Sequence, residues 1–466
     1  MSATPVTSIA TSSKPSRSIA LALTVILAAQ LMLQMDFLIV MVALPRIQGD
    51  LAFSAATISW VPNAFALAFG GLLLLGGRLG DAFGRVRAFQ LGIALFVVAS
   101  LLGGLAQDAY MLVSARVLQG VGAALAAPSV LALITNIARD EAERNRGLGL
   151  FIAVSSVGAS AGLILGGWLT EYWSWRWSLL INVPVGAVVL LLIGRLVDET
   201  DRQPSTFDVG GALTATLGSI ALVYGFIHAA EQGWASSVTL LSFLTAALLL
   251  GSFWQIERHV QQPLLDLNLL RNSARLRALA IMALIVGVHF SLLFILVQYL
   301  QTVLGFAPLV AGLAYLPVTC TVFAVTHFMP VLITRFSAER LQVIGCVLVA
   351  LSFLGFAFIG EHSTYFGGIL GPMLVHSVGI ALVFTPGTVL TMNEVPAEHS
   401  GSVSGLLQMD QQIGGALGIA IITAVLSAAS LPENIASGLP MAFGAAALLA
   451  LMAAVVAWPL MRQRTV

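Results

Sequence analysis

The feature that most constrains this chain is a recurrence of apolar runs, each about as long as a bilayer is thick. They fall near residues 19–44, 56–76, 88–106, 109–136, 147–169, 177–197 and 209–229, then 238–255, 278–303, 307–332, 340–360, 365–391, 402–428 and 439–460, fourteen in all. A helix needs about 20 apolar residues to cross the hydrocarbon, and it satisfies its own backbone while doing so. The predicted fold is therefore an all-α polytopic membrane protein. Only 9% of the residues are charged, against about 25% in a soluble protein, so the chain cannot coat itself for water.

The first run is too long for a signal peptide and carries Gln30, Gln34 and Asp36, so it reads as a true span behind a polar tail of residues 1–18. An even number of spans puts both termini on one side. Of the 21 basic residues, 18 fall on that side, Arg46 and Arg176 fall on the other, and Arg116 lies within a span. The positive-inside rule makes the basic side cytoplasmic and the localisation a bacterial-type inner membrane. Trp168, Trp173, Trp175 and Trp177 then sit at the external interface.

Six spans occupy 19–197 and six more occupy 278–460. Equal lengths fit two six-helix bundles related by an axis along the membrane normal. Two further spans lie in the linker 198–277, where the sequence suggests no role beyond peripheral packing. A short tail, 461–466, closes the chain. The basic loops Arg78–Arg87 and Arg335–Arg340 occupy matching places in the two halves.

Several function classes drop out. Net charge is zero, so no basic face calls for nucleic acid. A P-loop needs a lysine after its glycines, and the one lysine, Lys14, is in the tail. No HExxH or CxxC string occurs, and Cys320 and Cys346 read as packing residues, so neither enzyme chemistry, cofactor nor metal is expected. The proton gradient remains as a drive.

Asp36 lies about two turns before Pro45, roughly 12 Å inside the nearer face if its segment spans the bilayer. A carboxylate there is costly and needs a partner or a task, and Asp36 is expected to face a cavity that the other helices surround. Three roles are open to it: proton carrier, counter-charge to a substrate, or structural acid. Arg116 sits at a similar depth in the fourth span and stays charged, so it is either a hydrogen-bond hub or a coupling residue that senses Asp36. Asp410, in QMDQQ, is a second proton or substrate site or an acid facing cytoplasmic water. The loop GRLGDAFGRVR at 77–87 combines Gly77, Gly80 and Gly84 with Asp81, Arg85 and Arg87. It reads equally as a conformational clasp between bundles or as a positive-inside loop with turn glycines.

These strings resemble the major facilitator superfamily and, within it, the fourteen-span drug:proton antiporter family. GRLGDAFGRVR resembles the superfamily's cytoplasmic signature loop. MDFLIVMVALP resembles the antiporters' first-helix motif, ARVLQGVGAALAAPS at 115–129 the fourth-helix motif, and WRWSLLINVPVG at 175–186 the entry to the sixth span. QPLLDLNLLRN at 262–272 and QQIGGALG at 411–418 also match. The resemblance implies a monomeric, proton-coupled exporter of lipophilic or cationic drugs working by alternating access, with protons, small lipophilic molecules and the bilayer as partners. Three departures stand out: Leu38 and Met41 replace polar residues of the first-helix motif, Leu163 replaces the proline of the antiporter motif, and Asp410 is acidic where a neutral polar residue is expected.

Gly158, Gly162 and Gly166 recur on one helix face, with Gly167 beside them, and suit close or sliding helix packing. His289, His327 and His376 lie in spans of the second half and could titrate, although lone histidines are more often satisfied bundle residues. Gln34, Phe37, Phe65, Phe290, Phe294 and Gln298 are the candidates for a substrate cavity between the halves.

Overall fold

A computed structural model of the protein describes residues 16–200, 202, 208–260, 263–264, 272–360, 362–395, 400–430 and 435–462. Lys14 with the tail up to residue 15, Arg271, Arg464 and most of the string 262–272 lie outside the described residues. Among the described residues, 14 helical spans are long and apolar enough to cross a membrane. They include α1 (Ser16–Asp50), α2 (Trp60–Phe83), α3 (Arg85–Gly104), α4 (Ala109–Ile137) and α5 (Glu141–Tyr172), then a sixth span made of α6 (Trp177–Leu180) and α7 (Asn182–Leu196). The central pair is α8 (Val209–Gln232) and α9 (Ser237–His259). The last six spans are α10 (Ser273–Thr302), the series α11 (Pro308–Leu313), α12 (Leu316–His327) and α13 (Met329–Phe336), then α14 (Ala338–Phe356), α15 (Leu370–Met392), α16 (Ser400–Ala429) and α17 (Leu439–Ala457).

Helix starts follow local chemistry. Asp108 accepts a hydrogen bond from the Met111 amide at 2.8 Å, and Asp140 accepts one from Glu143 at 2.7 Å, capping α4 and α5. The second cap carries α5 back to Glu141, earlier than its apolar run begins. Pro45 does not end the first span: α1 continues to Asp50 with the proline inside it. The run 307–332 is not one helix. Pro308, Pro317 and Pro330 each stand in a first turn, where a missing N–H costs nothing, and they divide it into three.

One hydrophobic core runs through both halves, joining Leu44, Ile47 and Trp175 to Leu300, Tyr315 and Phe353. A second core belongs to the first half alone, around Ile26, Phe89, Leu133 and Ile193. The shared core meets the first half at the end that carries Asp50 and Trp175, the tryptophan-rich end. The separate core lies toward the opposite, arginine-rich end.

On the α5 flank the halves touch at the tryptophan-rich end. Glu171 of α5 accepts from the Leu309 amide at 3.0 Å, and Gln301 of α10 donates to the Val42 carbonyl of α1 at 2.8 Å. Further along, α12 buries no residue and α13 buries only Met329, while α5 between residues 141 and 155 buries only Gly147. This flank is packed at one end and unpacked at the other. The opposite flank stays closed along α2 and α16, where Gly70 meets Gln412 and Gly405 meets Leu74.

The central pair is not wholly peripheral. α8 packs on both α2 and α16 through Leu67, Val223, Ile227, Ala416 and Ala420, so it bridges the halves. α9 lies outside α8 and buries only Thr239, Ala246 and Glu257.

Candidate functional site

Asp36 on α1 and Arg116 on α4 form an ion pair, both side chains being fully buried. Helix α1 presents Asp36 inward because Met32, Leu33, Ile39 and Val40, its neighbours on the helix, are themselves buried. The carboxylate is further held by Gln119 Nε2, which donates to Oδ1 at 3.0 Å, and by Asn182 Nδ2, which donates to the same oxygen at 2.7 Å. Gln119 Nε2 also donates to Ser100 Oγ at 2.7 Å. Arg116 donates through Nη1 to Gln119 Oε1 at 2.9 Å and through Nε to the Val61 carbonyl at 3.1 Å, and its guanidinium stacks 4.6 Å from the centre of the Phe65 ring. Arg116 Nη2 is buried and has no hydrogen-bond partner among the described residues. A desolvated pair of this kind holds only while both charges and their polar neighbours are in place.

This geometry corrects one expectation. Asp36 does not face a cavity between the halves; it is enclosed by α3, α4 and α7 of its own half. Ser100, Gln119 and Asn182 were not singled out in the sequence. Gln119 could have been, since it stands three residues after Arg116 on one helix face. Asn182 lies inside a quoted motif, but a lone asparagine carries no signal of its partner.

Asp410 lies in the other half on α16, partly exposed, with Oδ2 buried and without a hydrogen-bond partner among the described residues. No hydrogen bond or ion pair joins it to Asp36 or Arg116 among the described residues.

The cavity candidates divide into separate groups. Phe69, Phe65, Phe37 and Phe290 form a chain with centroid separations of 5.7, 6.3 and 4.9 Å, and the last step crosses from one half to the other. Phe294 and Gln298 line a different cavity of about 220 Å³ at the tryptophan-rich end, with Tyr299, Thr423, Ser427 and Ser430. Gln34 is exposed beside Gly158, on the face of α1 turned to α5.

The antiporter-motif glycines also have two targets. Gly158, Gly162 and Gly166 lie against α1, at Gln34, Met35 and Ile39. Gly167, one residue round the helix, meets Pro308 and Leu309 of the second half. Leu163 leaves α5 unbroken, and its carbonyl packs where Gly312 has no side chain.

In the signature loop, Gly84 (φ 106°) makes the turn from α2 into α3, a left-handed conformation that suits glycine. Asp81 pairs with Arg85 at 2.5 Å. Gly77 and Gly80 face Pro128 and Ser129 of α4, which lets α2 lie close to it. Glu199, absent from the sequence reading, caps α3: it accepts from the Val86 amide at 2.8 Å and the Arg87 amide at 3.1 Å. Arg87 is also 3.9 Å from the Glu199 carboxylate. These contacts stay within the first half and the start of the linker, and among the described residues they do not bridge to the second bundle. Arg78 donates to the Pro263 carbonyl, tying the loop to the segment after α9.

Comparison with known proteins agrees with this architecture. The family model described as Major Facilitator Superfamily matches residues 26–419. The puromycin resistance protein pur8 of Streptomyces alboniger is 36% identical over 461 residues, covering 95% of this chain and 91% of its own. The cephamycin export protein CmcT of Amycolatopsis lactamdurans is 35% identical over 409 residues, covering 87% and 84%. Among solved structures, an auto-inhibited POT family peptide transporter superposes with a TM-score of 0.70 at 16% identity, covering 96% of this chain and 97% of that one, which bears on the fold alone.

Proposed function

The chain belongs to the major facilitator superfamily, and from that premise we propose that it exports lipophilic or cationic small molecules from the cytoplasm in exchange for protons. The observation that carries this reading is the sealed Asp36–Arg116 pair within a two-halved fold packed tightly at one end of its α5 flank. The positive-inside bias supports an orientation with both termini in the cytoplasm, so that the unpacked end of that flank faces inward. The resistance and export names of pur8 and CmcT support the direction of transport.

Protonation of Asp36 converts a carboxylate held by Arg116, Gln119 and Asn182 into a neutral acid. The guanidinium then keeps only Gln119 Oε1, the Val61 carbonyl and the Phe65 ring. That change loosens the joint between α1 and α4, and Phe65 passes it to Phe37 and Phe290 at the inter-half contact. Deprotonation restores the pair and resets the cycle. The clasp residues Asp81, Arg85 and Arg87 hold the arginine-rich end of α2 and α3 as one unit during the movement. Asp410 is a further acid available to a cationic substrate in the second half.

The test is a substrate screen in everted vesicles carrying a pH-sensitive dye. Ethidium, puromycin and quaternary ammonium compounds should discharge the imposed pH gradient, and a protonophore should abolish uptake. No response to any compound of a diverse panel would sink the reading. A second reading, a dedicated exporter of one endogenous product, is favoured by the cephamycin exporter among the relatives and predicts response to a single compound class.

A further inference from the structure

His289 on α10 and His376 on α15 are not lone histidines. His289 Nδ1 lies 3.0 Å from His376 Nε2, and the rings lie nearly parallel, side by side, with an interplanar angle of 10° and centroids 5.3 Å apart. Ser352 Oγ on α14 lies 3.2 Å from His376 Nδ1. The serine's single O–H is directed to the Val349 carbonyl at 2.6 Å, so its oxygen accepts and His376 Nδ1 donates. His376 Nε2 is then the acceptor, and His289 Nδ1 donates to it. The chain of hydrogen bonds fixes both tautomers and leaves one open lone pair, on Nε2 of the half-buried His289.

The placement repeats that of the first half. Asp36, Ser100 and Arg116 lie on the first, third and fourth spans of their half, and His289, Ser352 and His376 lie on the first, third and fourth spans of theirs. Ser100 and Ser352 each stand four residues before the end of their helix, at Gly104 and Phe356. Where one half holds a charged pair linked to a serine through Gln119, the other holds two titratable rings, one of which is hydrogen-bonded to a serine.

We propose that the His289–His376 pair is a second proton-binding site, giving the transporter one proton site in each half. This rests on the proton-driven reading above. A proton enters at His289 Nε2, and the Nδ1 proton can then pass to His376 Nε2, so that a single positive charge is shared by the two rings. No bond other than N–H is made or broken. Phe353 and Phe384 stand steeply inclined to the His376 and His289 rings, at 5.4 and 6.3 Å between centroids. The charge lies one residue from Phe290 and so next to the contact with Phe37.

Of the elements packed against the pair, α11 and α17 carry no titratable group. α16 carries Asp410, α14 carries Cys346 with Glu339 and Arg340 at its start, and α13 carries Arg335. α10 adds Arg275 and Arg277 near its start and Tyr299 near its end, α12 adds Cys320 and His327, and Asp36 on α1 is bound to Arg116. Among the described residues none of these makes a hydrogen bond or ion pair with either imidazole, so no fixed countercharge stands in for the proton.

The experiment counts protons exchanged per ethidium, a monovalent cation, in proteoliposomes of full-length protein. Two proton sites make the exchange electrogenic, so an inside-negative potential accelerates ethidium export. His289→Gln and His376→Gln should each lower the count by one proton per ethidium and abolish the effect of the potential. An unchanged count and unchanged potential dependence in both variants would overturn the proposal while leaving the proton-driven reading intact. Ethidium movement with no proton exchange in the unsubstituted protein would overturn both. Should the variants fail to fold, nitrogen-15 spectra of histidine-labelled unsubstituted protein decide. The proposal requires that two rings coupled through one N–H···N bond take up a single shared proton, and uncoupled rings would refute it.

Discussion

Phe37 of α1 and Phe290 of α10 meet with their rings 4.9 Å apart across the boundary between the halves, and each directly follows a residue of its own half's buried polar cluster. The residue before Phe37 is Asp36, and the residue before Phe290 is His289. A change of charge in either cluster therefore lies one residue from the same aromatic contact. If that contact couples the halves, Phe37→Ala and Phe290→Ala are non-additive. An interaction of about 0.5–1.5 kcal/mol is expected in a double-mutant cycle of unfolding free energies measured in mixed detergent micelles. Additive losses would show that the rings merely fill space.

The buried ion pair makes a sharper claim. Asp36→Asn leaves the Arg116 guanidinium without its countercharge in a site that water does not reach, at a cost of about 3–5 kcal/mol. Asp36→Asn combined with Arg116→Gln removes both charges and should recover part of that loss, although neither form should transport. Thermal unfolding of the two purified variants separates the outcomes, and a single variant as stable as the parent would contradict the geometry.

Close helix packing sets the sign of glycine substitutions. A Cβ at Gly414 would lie 2.7 Å from the Ala283 carbonyl oxygen, so Gly414→Ala should cost about 1–3 kcal/mol. Gly251, within α9, has nothing within 4 Å of the added atom. Gly251→Ala should be neutral or stabilising by up to about 1 kcal/mol, because alanine is the better helix former. Opposite shifts of the two unfolding midpoints are the expected result.

Gly167 is the motif glycine that touches the second half, so Gly167→Val should push α11 away from α5 and loosen the tryptophan-rich end. A cysteine placed at Gln301, whose amide otherwise reaches the Val42 carbonyl, should then react faster with an impermeant maleimide applied from that side. Gly166→Ala disturbs α1 instead and should not raise the labelling rate comparably.

At the other end, Glu199 supplies the acceptor that α3 lacks, since Gly84 at its N-terminus has no side chain. Glu199→Ala should lower stability by about 1 kcal/mol, as for loss of any helix N-cap. The difference is readable as a lower unfolding midpoint in detergent.

The sequence by itself determined which stretches span, the all-helical class and the family, because long apolar runs and glycine-rich strings are local signals whose physics needs no neighbour. It also marked Asp36 and Arg116 as residues whose burial required a reason. It did not join them to Gln119, Asn182 and Ser100, nor pair His289 with His376, nor divide Phe294 and Gln298 from the Phe37–Phe290 chain. It placed Asp36 on a cavity, whereas packing turned it into the first half, and it treated α8 as peripheral although α8 lies on both halves. Those facts belong to the tertiary structure. Which face of a span meets lipid, a partner helix or a cavity depends on how fourteen similar apolar cylinders are arranged, and their near-uniform hydrophobicity leaves little in any one helix to indicate its neighbours.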